Sequence, residues 1–318
     1  MNTEPAISVV PQLSSLSPWP HRLAVILACA TFPLLFIGGL VTSLGAGLAV
    51  PDWPTTFGYH MFLYPWAKMV GGIFYEHSHR LVASTVGLLT IALAMNFWFF
   101  EQRQWLRRLG VAALILVILQ GVLGGLRVVL LQPTLAIIHA CVAQAFFALT
   151  VSLALFTSAE WRGPVDAAIA DGGRLRRLAT VTTALIYLQI VFGALLRHTG
   201  ERLDAHLLIA ALVAVHVGLL LVRIARARGD GAPFSRPAYF LGALLLLQVT
   251  LGSAAYFAKF TTMLRWPMTA LVLLTTTHLS VGALMLAAAL IITLRAHRFS
   301  TPVRSSAPAK TLTEQYSV

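Results

Sequence analysis

The chain contains 318 residues, of which 58% are hydrophobic and 11% are charged. Soluble domains carry about 25% charged residues, so this composition excludes an ordinary soluble protein. The formal net charge of +12 does not indicate a nucleic-acid partner, because the basic residues gather between apolar runs, where they mark the sides of a membrane.

Long apolar runs, interrupted by prolines and charged clusters, predict eight membrane-spanning helices. About 20 apolar residues suffice to cross a bilayer, and the backbone polar groups of such a segment must be satisfied within a helix. In chain order the predicted spans are 22–45, 77–99, 109–131, 134–157, 178–197, 205–223, 238–257 and 268–294. The two cysteines, Cys29 and Cys141, lie inside these runs and predict no disulfide framework.

The basic residues also predict the orientation of the spans. With the N-terminus inside, most of the 23 Lys and Arg residues fall on inner segments, as the positive-inside rule requires. This predicts an integral membrane protein, expected in a bacterial inner membrane, with both termini in the cytoplasm and lipid around it. The predicted parts are a disordered tail (1–21), a first bundle (22–158), a cytoplasmic linker (159–177), a second bundle (178–295) and a cytoplasmic tail (296–318).

A Leu-Gln-x-x-x-Gly motif occurs in three of the odd-numbered spans, at residues 119–124, 188–193 and 247–252. Each odd span is followed by an even span with a histidine toward its outer half. Chance similarity between Leu- and Gly-rich helices is the alternative explanation. We interpret the pattern as an internal duplication, which is common in membrane proteins. The predicted fold is therefore an all-α membrane protein whose eight transmembrane helices form two pseudo-symmetric four-helix bundles.

Four histidines occupy matching positions in the even-numbered spans, namely His79, His139, His206 and His278. Within each half, the two histidines are separated from the inner charged end of their helix by nearly equal numbers of residues. Because the even helices run in the same direction, each pair lies at equal depth, where two imidazoles can form a bis-histidine heme site. Zinc would need further ligands. The non-heme alternative is a hydrogen bond from each histidine to a neighbouring helix, and His216, expected to be structural, is the alternative ligand of the sixth span.

A carboxylate and a guanidinium accompany only the first of these histidines. Glu76 precedes His79 by three residues, so that both lie on one helix face, and Arg80 follows directly. Glu76 either serves the site or stabilises the start of the helix through its dipole. Arg80 predicts an anionic partner such as a heme propionate. The other candidates for propionate binding are Arg127, Arg197 and Arg265.

The segment from Gly39 to Arg80 resembles the first half of the heme A synthase family. The resemblance rests on residues 39–54, which end in Pro51-Asp52-Trp53-Pro54, and on Glu76-His77-Ser78-His79-Arg80. It continues through 119–130, His139 and 275–282, and so covers nearly the whole chain. The chain departs from the family by lacking a cysteine pair in the first outer loop, where Val50 stands, and a Glu-His-Arg sequence around His206.

The resemblance implies an eight-helix oxidoreductase that converts the C8 methyl group of heme O to a formyl group, giving heme A for cytochrome c oxidase. It implies that Glu76 is the catalytic carboxylate, that His79 and His139 bind the iron of the substrate heme, and that His206 and His278 bind the iron of a heme b cofactor. The partners it implies are a heme O synthase and cytochrome oxidase assembly factors. The electron acceptor stays open.

Two other functions stay open from the residues themselves. A bis-histidine heme b cytochrome that passes electrons from quinol would need the histidine pairs but not Glu76. A transporter with histidine proton relays would need broken helices and charges near the middle of the membrane, and the sequence shows neither.

Overall fold

The structure is a computed structural model that describes residues 17–163, 172–227, 232–261 and 266–299. Eight helices in these ranges are long and apolar enough to cross a membrane, which confirms the predicted fold class. They are α1 (Trp19–Ser43), α2 (Gly72–Phe100), α3 (Gln104–Leu130), α4 (Pro133–Thr157), α5 (Gly172–Thr199), α6 (Leu203–Arg226), α7 (Ala232–Phe260) and α8 (Met268–Phe299).

Several helices are longer than the apolar runs that predicted them. α5 begins at Gly172 rather than at 178, so part of the predicted linker is helical, and α8 continues to Phe299. The apolar run marks only the part in lipid, whereas Arg residues are good helix formers and let the helix continue past the membrane surface. The linker also contains one helical turn, Ala159–Arg162. Residues 1–16, 164–171 and 300–318 of the predicted tails and linker lie outside the described residues.

The helices of each half pack in a ring of four. In the first half, α2 and α4 each contact both α1 and α3; in the second half, α6 and α8 each contact both α5 and α7. The same order of neighbours in both halves is compatible with the predicted pseudo-symmetry. In both rings the even helices, which carry the four histidines, stand opposite each other with an odd helix on either side.

The two rings join along α8, which contacts α1 and α4, while α4 also contacts α5. α8 presents small buried residues at this junction, among them Ala283 and Ala287. Ala283 and Ala287 pack with Leu35 of α1 and Phe147 of α4 in one apolar cluster. Small side chains allow helix backbones to approach closely in a membrane, so the junction is tightly packed.

The first half carries a long outer loop that the second half lacks. α1 ends at Ser43. Gly45, two residues later, has a φ of +65° in the left-handed region, and Ala46 N–H closes the helix end by donating to Val41 O. The chain then runs through residues 44–71 before α2 begins, whereas residues 200–202 alone connect α5 to α6. We call residues 44–71 the outer loop.

Asp52 organises the centre of the outer loop. Its carboxylate accepts hydrogen bonds from Phe57 N–H at 2.7 Å, from Gly58 N–H at 2.9 Å and from the Thr55 hydroxyl at 2.5 Å. Partial burial disfavours the charged form, but these hydrogen bonds outweigh it and hold the pKa of Asp52 below its ordinary value. The ionised side chain therefore contributes to the stability of the loop.

Candidate functional site

Each of the four predicted histidines packs against a glycine on the preceding helix. A Cβ atom placed on that glycine would lie 3.0 to 3.3 Å from the Cε1 atom of the imidazole, closer than side chains normally approach. The pairs are Gly38 with His79, Gly124 with His139, Gly193 with His206 and Gly252 with His278. The glycine of the repeated motif thus leaves room for an imidazole ring between two helices, and α1 supplies the fourth such glycine without the rest of the motif.

The second pair has the separation that a bis-histidine heme needs. The ring centroids of His206 and His278 lie 6.4 Å apart, with an angle of 70° between the ring planes. Two iron–nitrogen bonds of about 2 Å, together with the distances from each nitrogen to its ring centre, give about 6.3 Å. The observed centroid separation of 6.4 Å matches this sum.

The first pair stands across the other ring of helices. His79 on α2 and His139 on α4 are both half-buried. The Nδ1 atom of each is fully buried and has no hydrogen-bond partner. Neither imidazole is therefore held by a hydrogen bond from Nδ1 to a neighbouring helix, and a buried ring nitrogen without a partner is costly.

The remaining histidines have other contacts. The ring of His206, and not that of His216, is paired with the ring of His278; Nδ1 of His216 lies 2.8 Å from Leu212 O, one turn earlier in its own helix. His77, which received no role from the sequence, is 1% exposed. Its Nδ1 lies 3.2 Å from the Thr56 hydroxyl, and its ring packs on Tyr64 at 5.2 Å. His77 therefore attaches the outer loop to α2.

Glu76 is buried beside the first site and binds the outer loop. It is 4% exposed; Oε2 accepts the Val50 N–H at 2.9 Å and Oε1 accepts Arg80 Nη2 at 2.9 Å. The sequence placed Glu76 at the start of its helix, but α2 begins at Gly72 and has no acidic residue in its first turn. The helix-dipole explanation of Glu76 is therefore wrong, because that effect falls off within the first turn.

Arg80 extends this attachment across the loop. Its guanidinium donates to the main-chain carbonyls of Asp52 at 2.8 Å, Thr55 at 3.0 Å and Val50 at 3.1 Å, in addition to Glu76. Propionate binding by Arg80 stays a prediction, and loop attachment is a role that the sequence did not indicate. Main-chain carbonyls are present at every residue, so no pattern of side chains could have identified these partners.

Two further contacts bring the outer loop over α3. The Arg127 guanidinium donates to Gly47 O at 3.3 Å and occupies the space that a side chain on Gly47 would fill. The Trp53 indole lies directly against Gly125, where no Cβ could be accommodated. The loop is thus anchored on both α2 and α3, at the end of the first ring where His79 and His139 lie.

Arg197 connects the two halves. From α5 its guanidinium donates to Gly39 O of α1 at 2.7 Å, to the Ser43 hydroxyl, and to Thr275 O of α8 at 3.5 Å. Its predicted role in propionate binding is neither supported nor opposed by these bonds. Arg265, the last of the predicted propionate-binding residues, lies outside the described residues.

The comparisons with known proteins all indicate one family. The model of the family described as "Cytochrome oxidase assembly protein" matches residues 21–205. A Heme A synthase of Shouchella clausii is 30% identical over 185 residues, which is 57% of this chain and 60% of the relative. Those of Alkalihalophilus pseudofirmus and Geobacillus kaustophilus are 30% and 27% identical over 57% and 55% of the chain, and 60% and 56% of their own lengths. The match thus spans well under two thirds of these relatives.

Proposed function

The chain belongs to the cytochrome oxidase assembly protein family, and from this membership and its two histidine pairs we propose that it is a heme A synthase. The reaction would oxidise the C8 methyl group of heme O to a formyl group, with heme O bound by His79 and His139. The main support for the proposal is a difference between the two histidine pairs. Among the described residues, a buried carboxylate and a long covering loop accompany the first pair alone.

The second pair would hold a heme b cofactor. His206 and His278 have the ring separation for two axial bonds to one iron. His206 and His278 both lie beyond residues 21–205, which the family model matches, so this assignment depends on geometry rather than on the family. A heme held by two histidines is suited to electron transfer, and among the described residues this half has no buried carboxylate equivalent to Glu76 that could serve a reacting substituent.

The protein's own groups would position the substrate and accept protons. Bound heme iron supplies the redox chemistry, and the chain supplies binding, orientation and electrostatics. Glu76 lies one helical turn from His79 on the same face, so its carboxylate would lie near the edge of the porphyrin rather than over the iron. Oxidation of the methyl group with water to a formyl group releases protons and electrons. Glu76 would accept the protons at this edge, and the electrons would pass to an external acceptor. The loop attached through Arg80 would keep bulk water from this edge.

Heme analysis of the purified wild-type protein tests the proposal. We expect heme b together with heme O or heme A after pyridine extraction, and heme A in host cells that otherwise make only heme O. Heme b alone, with no heme O consumed, would instead indicate the quinol-linked bis-histidine cytochrome. Absence of heme from a folded, membrane-inserted protein would contradict both functions.

We also propose that the protein lies in a bacterial inner membrane with both termini in the cytoplasm. The orientation follows from the excess of basic residues on the N-terminal side of the membrane. A reporter fused at Gly58, within the outer loop, should read external, and one fused at Gly231 should read cytoplasmic. A cytoplasmic signal at Gly58 would overturn this orientation. A heme O synthase and assembly factors of cytochrome oxidase are the partners we propose.

A further inference from the structure

Three half-buried glutamines accompany three of the four histidines. They are the second residues of the repeated Leu-Gln-x-x-x-Gly motif, so each lies one helical turn before the glycine that contacts an imidazole. They are Gln120 beside His139, Gln189 beside His206 and Gln248 beside His278. The amide oxygen Oε1 of all three is buried and has no hydrogen-bond partner. Each motif therefore places an unused acceptor near an imidazole.

Two of the histidines beside these motifs carry a hydrogen-bond donor that has no partner. For Nε2 of a neutral histidine to bind a metal, the proton must be on Nδ1, and this N–H usually donates to a carbonyl or carboxylate that fixes the ring. Nδ1 of His139 and of His278 is buried without a partner. A buried donor and a nearby buried acceptor that both lack a partner cost free energy, unless they form a hydrogen bond with each other.

One of the glutamines contacts the imidazole directly, and the other two lie close by. Gln189 Nε2 lies 3.1 Å from His206 Nδ1 and 3.2 Å from its Nε2. Rotating the amide by about 180° would place Oε1 there instead, and the two orientations differ only in the hydrogen bonds that they allow. Gln120 Nε2 donates to the main-chain oxygen of His139 at 3.1 Å. Gln248 lies beside Gly282, one turn after His278 on α8.

The fourth histidine, His79, has no such glutamine on the preceding helix. Leu34 stands on α1 one turn before Gly38, where the other units have glutamine, and it is half-buried in the apolar core of the first half. Nδ1 of His79 is buried without a partner, like those of His139 and His278, but it has no amide oxygen at the equivalent place. His79 is therefore the one histidine of the four whose motif unit lacks the acceptor.

We propose that these three glutamines are positioning residues, each accepting the Nδ1–H of the histidine beside it when a heme is bound. An imidazole that donates from Nδ1 is a more basic ligand of iron. Both ligands of the second site are then strengthened, whereas the first site combines one strengthened ligand, His139, with one weak ligand, His79. This inference depends on the proposed function, and its consequence is that the cofactor heme is retained while the heme at the first site exchanges.

Substitutions at the second site test the positioning role. In the holoprotein, Gln189→Leu and Gln248→Leu should raise the midpoint potential of the low-spin heme, because a less basic ligand stabilises oxidised iron less. Gln189→Glu should lower the potential, because a carboxylate is a stronger acceptor. Gln144→Leu is the matched control: Gln144 is 4% exposed and its Oε1 is also unpaired, but it is not in the motif, and no shift is expected.

Leu34→Gln tests the asymmetry between the sites. The new amide would serve His79, and we expect more heme O or heme A to copurify with the variant than with the wild type. The heme b content and potential of the second site should stay unchanged, which also reports correct folding. The electron paramagnetic resonance signal of the first-site heme should shift toward that of the second site.

The outcomes separate this inference from the proposed function. If the wild type converts heme O but the Gln→Leu variants have the same midpoint potential as the Gln144→Leu control, the side-chain role is wrong. Equal heme retention in Leu34→Gln and the wild type would refute the asymmetry. If the wild type neither binds nor converts heme O, the proposed function fails, while the potential shifts at the second site still decide the glutamine role.

Discussion

Substitution of Glu76 by glutamine separates its two candidate roles, proton acceptor and loop anchor. The side chains of Glu76 and Arg80 are only 5% and 10% exposed. Glutamine keeps one acceptor oxygen, so the variant loses about one charge-assisted hydrogen bond, worth ~1.5–3 kcal/mol. This loss weakens the attachment of the outer loop, but the three bonds from Arg80 to loop carbonyls persist.

The loss of a general base has a different signature. Such a group contributes about 10²- to 10⁴-fold to the rate, and an amide cannot accept the proton. We therefore expect Glu76→Gln to express normally and to retain both hemes, while heme A formation falls by that factor and heme O accumulates. His79→Ala should instead lower the heme content of the first site.

Arg80→Lys reverses the balance between the two roles. A single ammonium group cannot reach the carbonyls of Val50, Asp52 and Thr55 together, so this variant loosens the loop more than Glu76→Gln does while leaving the carboxylate in place. Protease sensitivity of the outer loop should rank Arg80→Lys above Glu76→Gln, and loss of heme A should rank them in the opposite order.

The assay is chromatography of hemes extracted from cells that carry each variant. Glu101→Gln is the matched control, because Glu101 is 8% exposed and binds Arg103 through both oxygens at 2.9 Å, between α2 and α3 and away from the histidines. It should leave heme A formation unchanged. The reasoning fails if Glu76→Gln makes heme A at the wild-type level, or if Arg80→Lys is the more severe variant in both assays.

Three further predictions follow from the geometry. His206→Ala should abolish the low-spin heme signal and preserve membrane insertion, whereas His216→Ala should preserve both; the reverse result would show that the ring pair is misassigned. Gly252→Ala would place a Cβ 3.0 Å from Cε1 of His278 and should reduce the heme b content of the purified protein. An unchanged heme b content would show that the imidazole ring can move to accommodate the added methyl group. Asp52 has a folded pKa below its unfolded value of about 4, so it stabilises the outer loop above that pH, and the stabilisation disappears as the pH falls through the folded pKa. Asp52→Asn should remove this dependence from loop proteolysis measured between about pH 3 and 6, and an identical profile in both proteins would contradict it.

The membrane helices could be predicted because lipid imposes a simple rule on the sequence. An apolar run of sufficient length must be helical, and the eight runs correspond to α1–α8. Their ends could not be placed as well, since a helix continues through charged residues that are themselves good helix formers. The start of α5 at Gly172 shows this most clearly, because three arginines follow before the apolar run begins.

The histidine pairs could be predicted because depth along parallel helices is a matter of counting. The outer loop could not, because its contacts lack periodicity and use main-chain atoms. The charge of Arg80 predicts a propionate ligand, yet its guanidinium donates to main-chain carbonyls of the loop. Every residue has such a carbonyl, whatever its side chain. The fit of Trp53 against Gly125 likewise depends on tertiary structure that brings a loop over α3.

The two sites share one framework at the junction of the halves. Gly38, against which His79 packs, is followed by Gly39, whose carbonyl accepts from Arg197. Arg197 also reaches Thr275, which lies one helical turn before His278 on α8. A half-buried guanidinium that donates to main-chain oxygens of two helices restrains their separation, because a carbonyl that moves away loses its partner. The distance between the two proposed heme sites therefore depends on the packing of α1, α5 and α8 rather than on the outer loop.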